Sequence, residues 1–250
     1  MMAFIEKNIE KNIPISFLGS REDVVVSSTD TDRFSASVHS PRDGESRKAS
    51  PYRSFFKRGF DVLLVFLAAP LWLPLVLLGA VLVMLDGHSP FYTQERVGRN
   101  GRTFHIWKLR SMVPNAEACL ESYLAANPEA RIEWGRTQKL LNDPRVTVVG
   151  RILRKTSLDE LPQFFNVLRG DMSVVGPRPI MVSQKPIYFG RHYYYMRPGV
   201  TGLWQVTDRN ECSFAERVHF DDSYYRTMSF WTDSAILVRT LGVVLRGTGY

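Results

Sequence analysis

The chain has 250 residues, 44% of them hydrophobic and 23% charged, which excludes a wholly disordered polypeptide and leaves room for one substantial domain or two small ones. Its formal charge of +7 is uneven: residues 1–50 carry seven Lys/Arg against eight Asp/Glu, so the remaining 200 hold a surplus of eight positive charges and suit a phosphate-bearing partner, whether nucleic acid, anionic membrane or nucleotide. Two cysteines, Cys119 and Cys212, without a CxxC spacing or a His-rich neighbourhood, indicate neither a disulfide framework nor a zinc site and fit a reducing cytoplasm.

Met1 to Phe4 is followed directly by charged and polar residues, which is not the pattern of a cleaved secretory leader. Residues 20–52 are rich in Ser, Asp, Arg and Thr with little apolar surface to offset chain entropy, so residues 1–52 are expected to be a disordered tail. From Val62 to Leu85 there follow 24 residues without a charge, long enough for a membrane segment. Pro70 and Pro74 near its centre each remove a backbone donor and press on the preceding turn, so a break or sharp bend is expected there. Arg53, Lys57 and Arg58 precede the run and Arg96, Arg99 and Arg102 follow it, a symmetry that permits both ends to face the cytoplasm. A kinked single span is the plainer reading of the run alone.

Beyond Ser89-Pro90, Asn100-Gly101 between β-rich runs predicts a hairpin. Residues 114–141 read as helical with an interruption at Asn127-Pro128. Ser213-Phe214-Ala215-Glu216 has the form of a capping box that opens a further helix. Thr232 to Leu245 predicts another, with Ile236, Leu237, Leu241, Val244 and Leu245 on one face, which packs on the core or lies on a membrane surface.

Two readings compete at Arg154-Lys155-Thr156-Ser157-Leu158-Asp159-Glu160-Leu161-Pro162. Ser157-x-x-Glu160 is a capping-box pattern, yet Pro162 cannot donate to the Leu158 carbonyl, which a regular helix would require. With Arg151, Arg154 and Lys155 just upstream, the adjacent carboxylates make a plausible phosphate-and-metal site. Diphosphate chemistry needs cations to neutralise the anion, and an ionised Asp is a competent nucleophile. Downstream, Gly170 to Pro179 reads as a short apolar strand ending in a turn that fixes Arg178 between Pro177 and Pro179. Arg197-Pro198-Gly199-Val200-Thr201-Gly202 repeats the device, with glycines that admit close backbone approach.

Taken in order from about Lys57 to Tyr250, these motifs resemble those of the bacterial sugar transferases, the monotopic phosphoglycosyl transferases that use polyprenyl phosphate as acceptor. The matching residues are Lys57-Arg58 before Asp61, the proline-broken apolar segment, Gln94-Glu95-Arg96-Val97-Gly98, Lys108-Leu109-Arg110-Ser111-Met112, Asp143-Pro144-Arg145-Val146-Thr147, Ser157 to Gln163, Gly170 to Pro179 and Arg197 to Gly202. The resemblance implies a mixed α/β fold, mostly α. Residues 53–88 would be a re-entrant membrane helix hairpin broken near Pro70, and residues 89–250 a small cytoplasmic α/β catalytic domain with surface-lying amphipathic helices. It implies that Asp159 takes a hexose 1-phosphate from a UDP-sugar and passes it to undecaprenyl phosphate in exopolysaccharide or related glycan synthesis. Glu160 would be its catalytic partner and Mg2+ the cofactor, with Asp159 as ligand. Arg178 and Arg197 map to phosphate-binding and uridine-binding arginines, with Pro179 and Gly199 beside them and Lys108, Arg110 and Arg154 as further candidates. The implied location is the cytoplasmic face of the bacterial inner membrane, in contact with the lipid bilayer. Two positions depart from the pattern, His88-Ser89 where relatives carry Gly before Pro90, and Ala69 where Ser often precedes the proline. A rival of another class is a membrane-anchored, non-catalytic binding protein for anionic ligands; no array of basic and stacking residues marks a nucleic-acid module.

Overall fold

The computed structural model describes residues 51–137, 140–207 and 216–245. Residues 1–50 of the tail expected over 1–52 and the Ser213 to Ala215 part of the expected capping box lie outside the described residues, while Tyr52, expected to end the tail, opens a helical turn. A π-helical turn at Tyr52–Phe56 runs into α1 (Lys57–Met84), and the hairpin of β1 (Phe91–Val97) and β2 (Thr103–Leu109) follows. Helices α2 (Ala116–Ala126) and α3 (Pro128–Thr137) are divided at Asn127-Pro128 as expected. Then come α4 (Val148–Lys155), α5 (Gln163–Arg169), β3 (Ser173–Val175), β4 (Ile180–Met181), β5 (Gly199–Thr201), α6 (Leu203–Val206), α7 (Arg217–Thr227) and α8 (Phe230–Leu245). The chain is mixed α/β with helix predominant.

β1 and β2 pair antiparallel from Phe91 opposite Leu109 to Val97 opposite Thr103, and the tip turns where Asn100 (φ 58) and Gly101 (φ 73) take the left-handed conformation. β4 adds to the outer edge of β1, with Val97 opposite Ile180. A second, parallel pair joins β3 to β5, Ser173 opposite Gly199 and Val175 opposite Thr201. Glycines allow that pair to close: a Cβ on Gly199 would lie 2.2 Å from the Gly176 nitrogen, and one on Gly202 would lie 2.0 Å from the Gly176 oxygen. Arg178 therefore leaves the end of β3 next to the residues that leave the end of β5.

One helix, α1, is long and apolar enough to cross a membrane among the described residues. It is helical throughout, so the hairpin of two helices expected at Pro70 is instead one helix. It is bent, however. The Trp72 indole Nε1 donates to the Val65 carbonyl two turns earlier at 3.1 Å, on the buried side toward which a proline-bearing helix curves. Pro70 and Pro74 lie on the opposite, exposed side, where their missing donors open the helix and make it convex. The prolines thus curve α1 without ending it.

The concave face of α1 carries Val65, Trp72, Val76, Ala80 and Val83, all buried. Val65, Trp72 and Val76 share one core with Val167, Met172, Tyr224 and Ile236, while Ala80 and Val83 pack with Leu109 and Leu153. The outer face exposes Leu63, Phe66, Leu67, Leu71, Leu77, Leu78 and Val81, with Leu67 and Leu71 each 70% exposed. Such a contiguous apolar patch on a folded domain calls for an apolar medium.

Both ends of α1 are tied to the same domain. At its start, Lys57 Nζ bonds Asp61 at 2.9 Å and Asp233 of α8 at 2.7 Å; Asp61 also accepts from the Ser173 hydroxyl at 2.7 Å and the Val174 amide at 3.1 Å. Arg58 donates to the Val167 and Leu168 carbonyls that end α5. At its far end, Arg110 bonds Asp86 at 2.6 Å and reaches the Val83 carbonyl. Helix α8 begins at Phe230, two residues before the expected start. It divides its apolar residues, with Ile236 in the core and Trp231, Val238 and Leu241 exposed.

Replacing Asp61 by Ala leaves Lys57 with one carboxylate and the Val174 amide without an acceptor. We expect a loss of about 3 kcal/mol in unfolding free energy, read by chemical denaturation in detergent. An unchanged midpoint would show that the knot does not hold α1 to the domain.

Candidate active site

The chain reaches Asp159 through a reversal rather than a capped helix. Thr147 caps α4 by accepting from the Gly150 amide at 2.9 Å, and α4 ends at Lys155. Ser157 then takes the left-handed conformation (φ 56) with no side-chain cap bond, so the capping box read from Ser157-x-x-Glu160 does not form. Leu158–Glu160 make a single 3-10 turn, and Pro162 stands just before α5, where its missing donor costs nothing.

Asp159 is 8% exposed. Burial raises its carboxyl from the ordinary Asp range to about 6; Lys108 and Arg154 pull it down and Glu160 pushes it up. Lys108 Nζ bonds Glu160 at 2.6 Å. The lysine occupies an inward position of β2, in phase with buried Phe104 and Ile106, which is why it meets the turn from inside. Asn166 fixes that register: its Oδ1 accepts from the Trp107 amide at 3.0 Å and its Nδ2 donates to the His105 carbonyl at 2.8 Å. Arg154 Nε donates to the Ser111 hydroxyl at 2.8 Å. Ser111 is set in turn by the Asp143-Pro144-Arg145 segment, since its carbonyl accepts from the Thr147 amide at 3.1 Å.

Arg178 makes no hydrogen bond or ion pair among the described residues, and its guanidinium carbon sits 5.9 Å from the centre of the Trp204 ring. Arg96, inward on β1, interacts with both Arg178 and Glu160, while burial, then Arg178, holds its guanidinium below the usual range. Lys108, Arg154 and Glu160 are thus the charged neighbours of Asp159, and Arg178 is linked to them through Arg96.

Two candidates fall elsewhere. Arg110 is committed to Asp86, the Ser89 carbonyl and the Val83 carbonyl at the end of α1. Arg197 Nε donates to the Gly170 carbonyl at 2.8 Å, and its charged neighbours are Arg58, Arg99 and Asp61 rather than Asp159. Gly199 serves the close approach of β5 to Gly176, and Pro179 passes the chain from Arg178 into β4. Arg96, Asn166, Trp204 and Arg217 are the residues that motif reasoning left out of the candidate site. The signal for Arg96 was available in the alternation of β1, which turns Gln94 and Arg96 to the same face as their cross-strand partners Ile106 and Phe104, whereas Trp204 and Arg217 gave none.

Among the described residues no group of three or more His, Cys, Asp or Glu is gathered to hold a metal. Asp159 and Glu160 still suit a magnesium ion, which is commonly held by one or two carboxylates together with substrate phosphates.

A profile of the family described as bacterial sugar transferase matches residues 52–247. Among similar proteins are a UDP-galactose-lipid carrier transferase of Erwinia amylovora, 49% identical over 197 residues, and an undecaprenyl-phosphate galactose phosphotransferase of Salmonella typhimurium, 48% identical over 197 residues. Each match covers 78% of this chain but 41% of the relative, so the chain spans about two fifths of their length. The exopolysaccharide production protein ExoY of Rhizobium meliloti is 45% identical over 208 residues, 82% of this chain and 92% of its own length.

In a carbon-13 titration the Asp159 carboxyl is expected to ionise with a midpoint of about 6, and Lys108→Met should move that midpoint up, because Lys108 favours the ionised form. Titration near the ordinary Asp value would contradict the buried setting described here.

Proposed function

The chain belongs to the bacterial sugar transferase family, and from that premise we propose that it transfers a sugar 1-phosphate from a UDP-sugar to undecaprenyl phosphate at a membrane surface. The observation that carries the reading is a buried, ionisable Asp159 paired with Glu160 and faced by Lys108 and Arg154, with Arg96 near Glu160 and Arg178 near Arg96, the last with no acceptor of its own among the described residues. Four cations about two carboxylates suit a substrate that brings a diphosphate.

The reaction runs in two displacements. A carboxylate oxygen of Asp159 attacks the phosphorus that bears the sugar; the P–O bond to the second phosphate breaks, and uridine monophosphate leaves with that oxygen. The product on the protein is an acyl phosphate. A phosphate oxygen of undecaprenyl phosphate then attacks the same phosphorus, the acyl P–O bond breaks, and the Asp159 carboxylate is restored with the sugar diphosphate on the lipid. Lys108 keeps Glu160 turned to the site, Arg154 and Arg178 hold phosphoryl oxygens, and burial excludes water that would hydrolyse the acyl phosphate. A magnesium ion bound at Asp159 and Glu160 would supply charge neutralisation for the diphosphate.

The membrane has a physical reason here, because the polyprenyl tail stays in lipid and its phosphate must be met at the interface. The convex face of α1 would sit in hydrocarbon while both ends, bonded to one domain, stay on the same side. We place that domain at the cytoplasmic face of the inner membrane, as a re-entrant rather than spanning arrangement. Exposed Val148 and Ile152 of α4 and Trp231 of α8 extend the apolar surface beside α1.

The test is turnover in lipid nanodiscs with magnesium, undecaprenyl phosphate and a panel of UDP-sugars. Wild type should release uridine monophosphate; Asp159→Asn should lower kcat by at least about 1,000-fold. Quenched reactions should carry a phosphosugar adduct on Asp159, and kcat/KM should fall about tenfold per pH unit below about 6, where the nucleophile becomes protonated. Unimpaired turnover by the Asn variant would sink the mechanism, and a wild type that binds UDP-sugar without releasing nucleotide would favour the non-catalytic binding protein.

A further inference from the structure

A single indole collects two guanidinium groups. The guanidinium carbon of Arg217, the first residue of α7, lies 5.4 Å from the centre of the Trp204 ring, and that of Arg178 lies 5.9 Å from the same centre. The three residues arrive from different parts of the chain. Arg178 follows β3, Trp204 follows β5, and the glycine contacts between Gly176 and Gly202 hold those two strand ends together. Arg217 comes in from the side on α7 and is 5% exposed, with Asp221 one helical turn on at 3.8 Å. Asp221 is itself held by the Tyr188 hydroxyl at 2.5 Å.

Placing two cations together away from water is unfavourable unless something gains from it. Burial first, and Arg178 in addition, depresses the Arg217 guanidinium, so the repulsion is felt. The choice of tryptophan is also informative. Its Nε1 is buried and has no acceptor among the described residues, a loss of about 1–3 kcal/mol that a Leu or Phe filling the same space would avoid. What tryptophan offers over those residues is the most electron-rich ring face for a cation. The ring is therefore retained for its face, and Arg178 has nothing else among the described residues to hold it.

We propose that Trp204 and Arg217 are positioning residues for Arg178: the indole face holds its guanidinium, and the buried Arg217, beside Asp221, repels it and so limits where it can turn. This rests on the functional reading given above and adds to it how a phosphate-binding arginine without protein acceptors keeps one orientation. Arg96 repels Arg178 as well, so the guanidinium has an aromatic ring and two like charges for neighbours. An anion arriving there meets donors already oriented, and the gain appears in binding.

The experiment is a cycle of variants in nanodiscs, read by KM for UDP-sugar, by kcat and by calorimetric binding of UDP. Trp204→Leu should raise KM and the UDP dissociation constant about tenfold with a much smaller change in kcat, whereas Trp204→Phe, which keeps an aromatic face, should stay within about threefold of wild type. In an Arg178→Gln background Trp204→Leu should cost nothing further. Arg217→Lys keeps the charge but not the planar group and should give an intermediate loss, which serves if Trp204→Leu does not fold by thermal unfolding. Equal penalties for Trp204→Leu with and without Arg178, or an unchanged KM in both Trp204→Leu and Arg217→Lys, would overturn the positioning role. Failure of the functional reading looks different: wild type would bind UDP with the same variant pattern but release no uridine monophosphate. A wild type that neither turns over nor binds UDP would overturn both.

Discussion

The fold depends on one buried ionic knot, the Lys57 ammonium held between Asp61 and Asp233. Two carboxylates and one ammonium cannot be taken from water cheaply, and a pair left incomplete is costly. Here all four carboxylate oxygens are engaged: Asp61 also accepts from Ser173 and the Val174 amide, and Asp233 accepts from the Tyr52 and Tyr224 hydroxyls at 2.7 Å each. The knot therefore ties three distant parts of the chain, the entry of α1, strand β3 and helix α8, in one geometry. Because Gly176-Pro177-Arg178 continues from β3, the backbone that carries Arg178 is anchored from the foot of the apolar helix. At the other end Arg110 binds Asp86, and between them Trp72 packs its ring 5.1 Å from Phe165 and 5.4 Å from Phe164, next to the turn that carries Asp159. The helix that meets the membrane is thus part of the scaffold of the site.

That arrangement explains the prolines. A straight helix of 28 residues would be about 42 Å long, and the domain holds this one at its start, its middle and its far end. Pro70 and Pro74 remove two backbone donors on the face turned away from the domain, which lets the other face shorten until the Trp72 indole reaches the Val65 carbonyl. The carbonyls that the prolines leave without a helical donor lie on the exposed apolar side, so their satisfaction depends on what covers that side.

The sequence was informative wherever a residue's conformational or charge requirement is local. Asn100-Gly101 marked the hairpin because φ > 0 is needed there, Asn127-Pro128 divided two helices, and Pro162 showed that the Asp159 turn is no ordinary helix start. It was less informative wherever partners come from far along the chain. Arg110 and Arg197 were expected at the site on motif grounds, but Arg110 found Asp86 and Arg197 found the Gly170 carbonyl at the end of α5, pairings that no local spacing encodes. The break at Pro70 was expected because a lone helix interrupted twice would separate; packing of Val65, Trp72 and Val76 into the core supplied the energy to keep it continuous. Trp204 and Arg217 were invisible for the same reason, since their meaning lies in a shared distance to Arg178.

The charge state of the site bears on stability as well as reactivity. For Asp159 the folded carboxyl ionises at about 6 and the unfolded one at its ordinary value near 4, so between those pH values the folded chain holds more protons than the unfolded one. Stability associated with this group is complete below the unfolded value and is lost as pH rises through about 6. At neutral pH the folded protein thus carries an ionised aspartate that its surroundings disfavour, alongside guanidinium groups at Arg96 and Arg178 that repel each other. The two imbalances have opposite sign, and an anionic ligand at the arginines together with a cation at the carboxylates would relieve both, which under the proposed function is the binding free energy available for displacement.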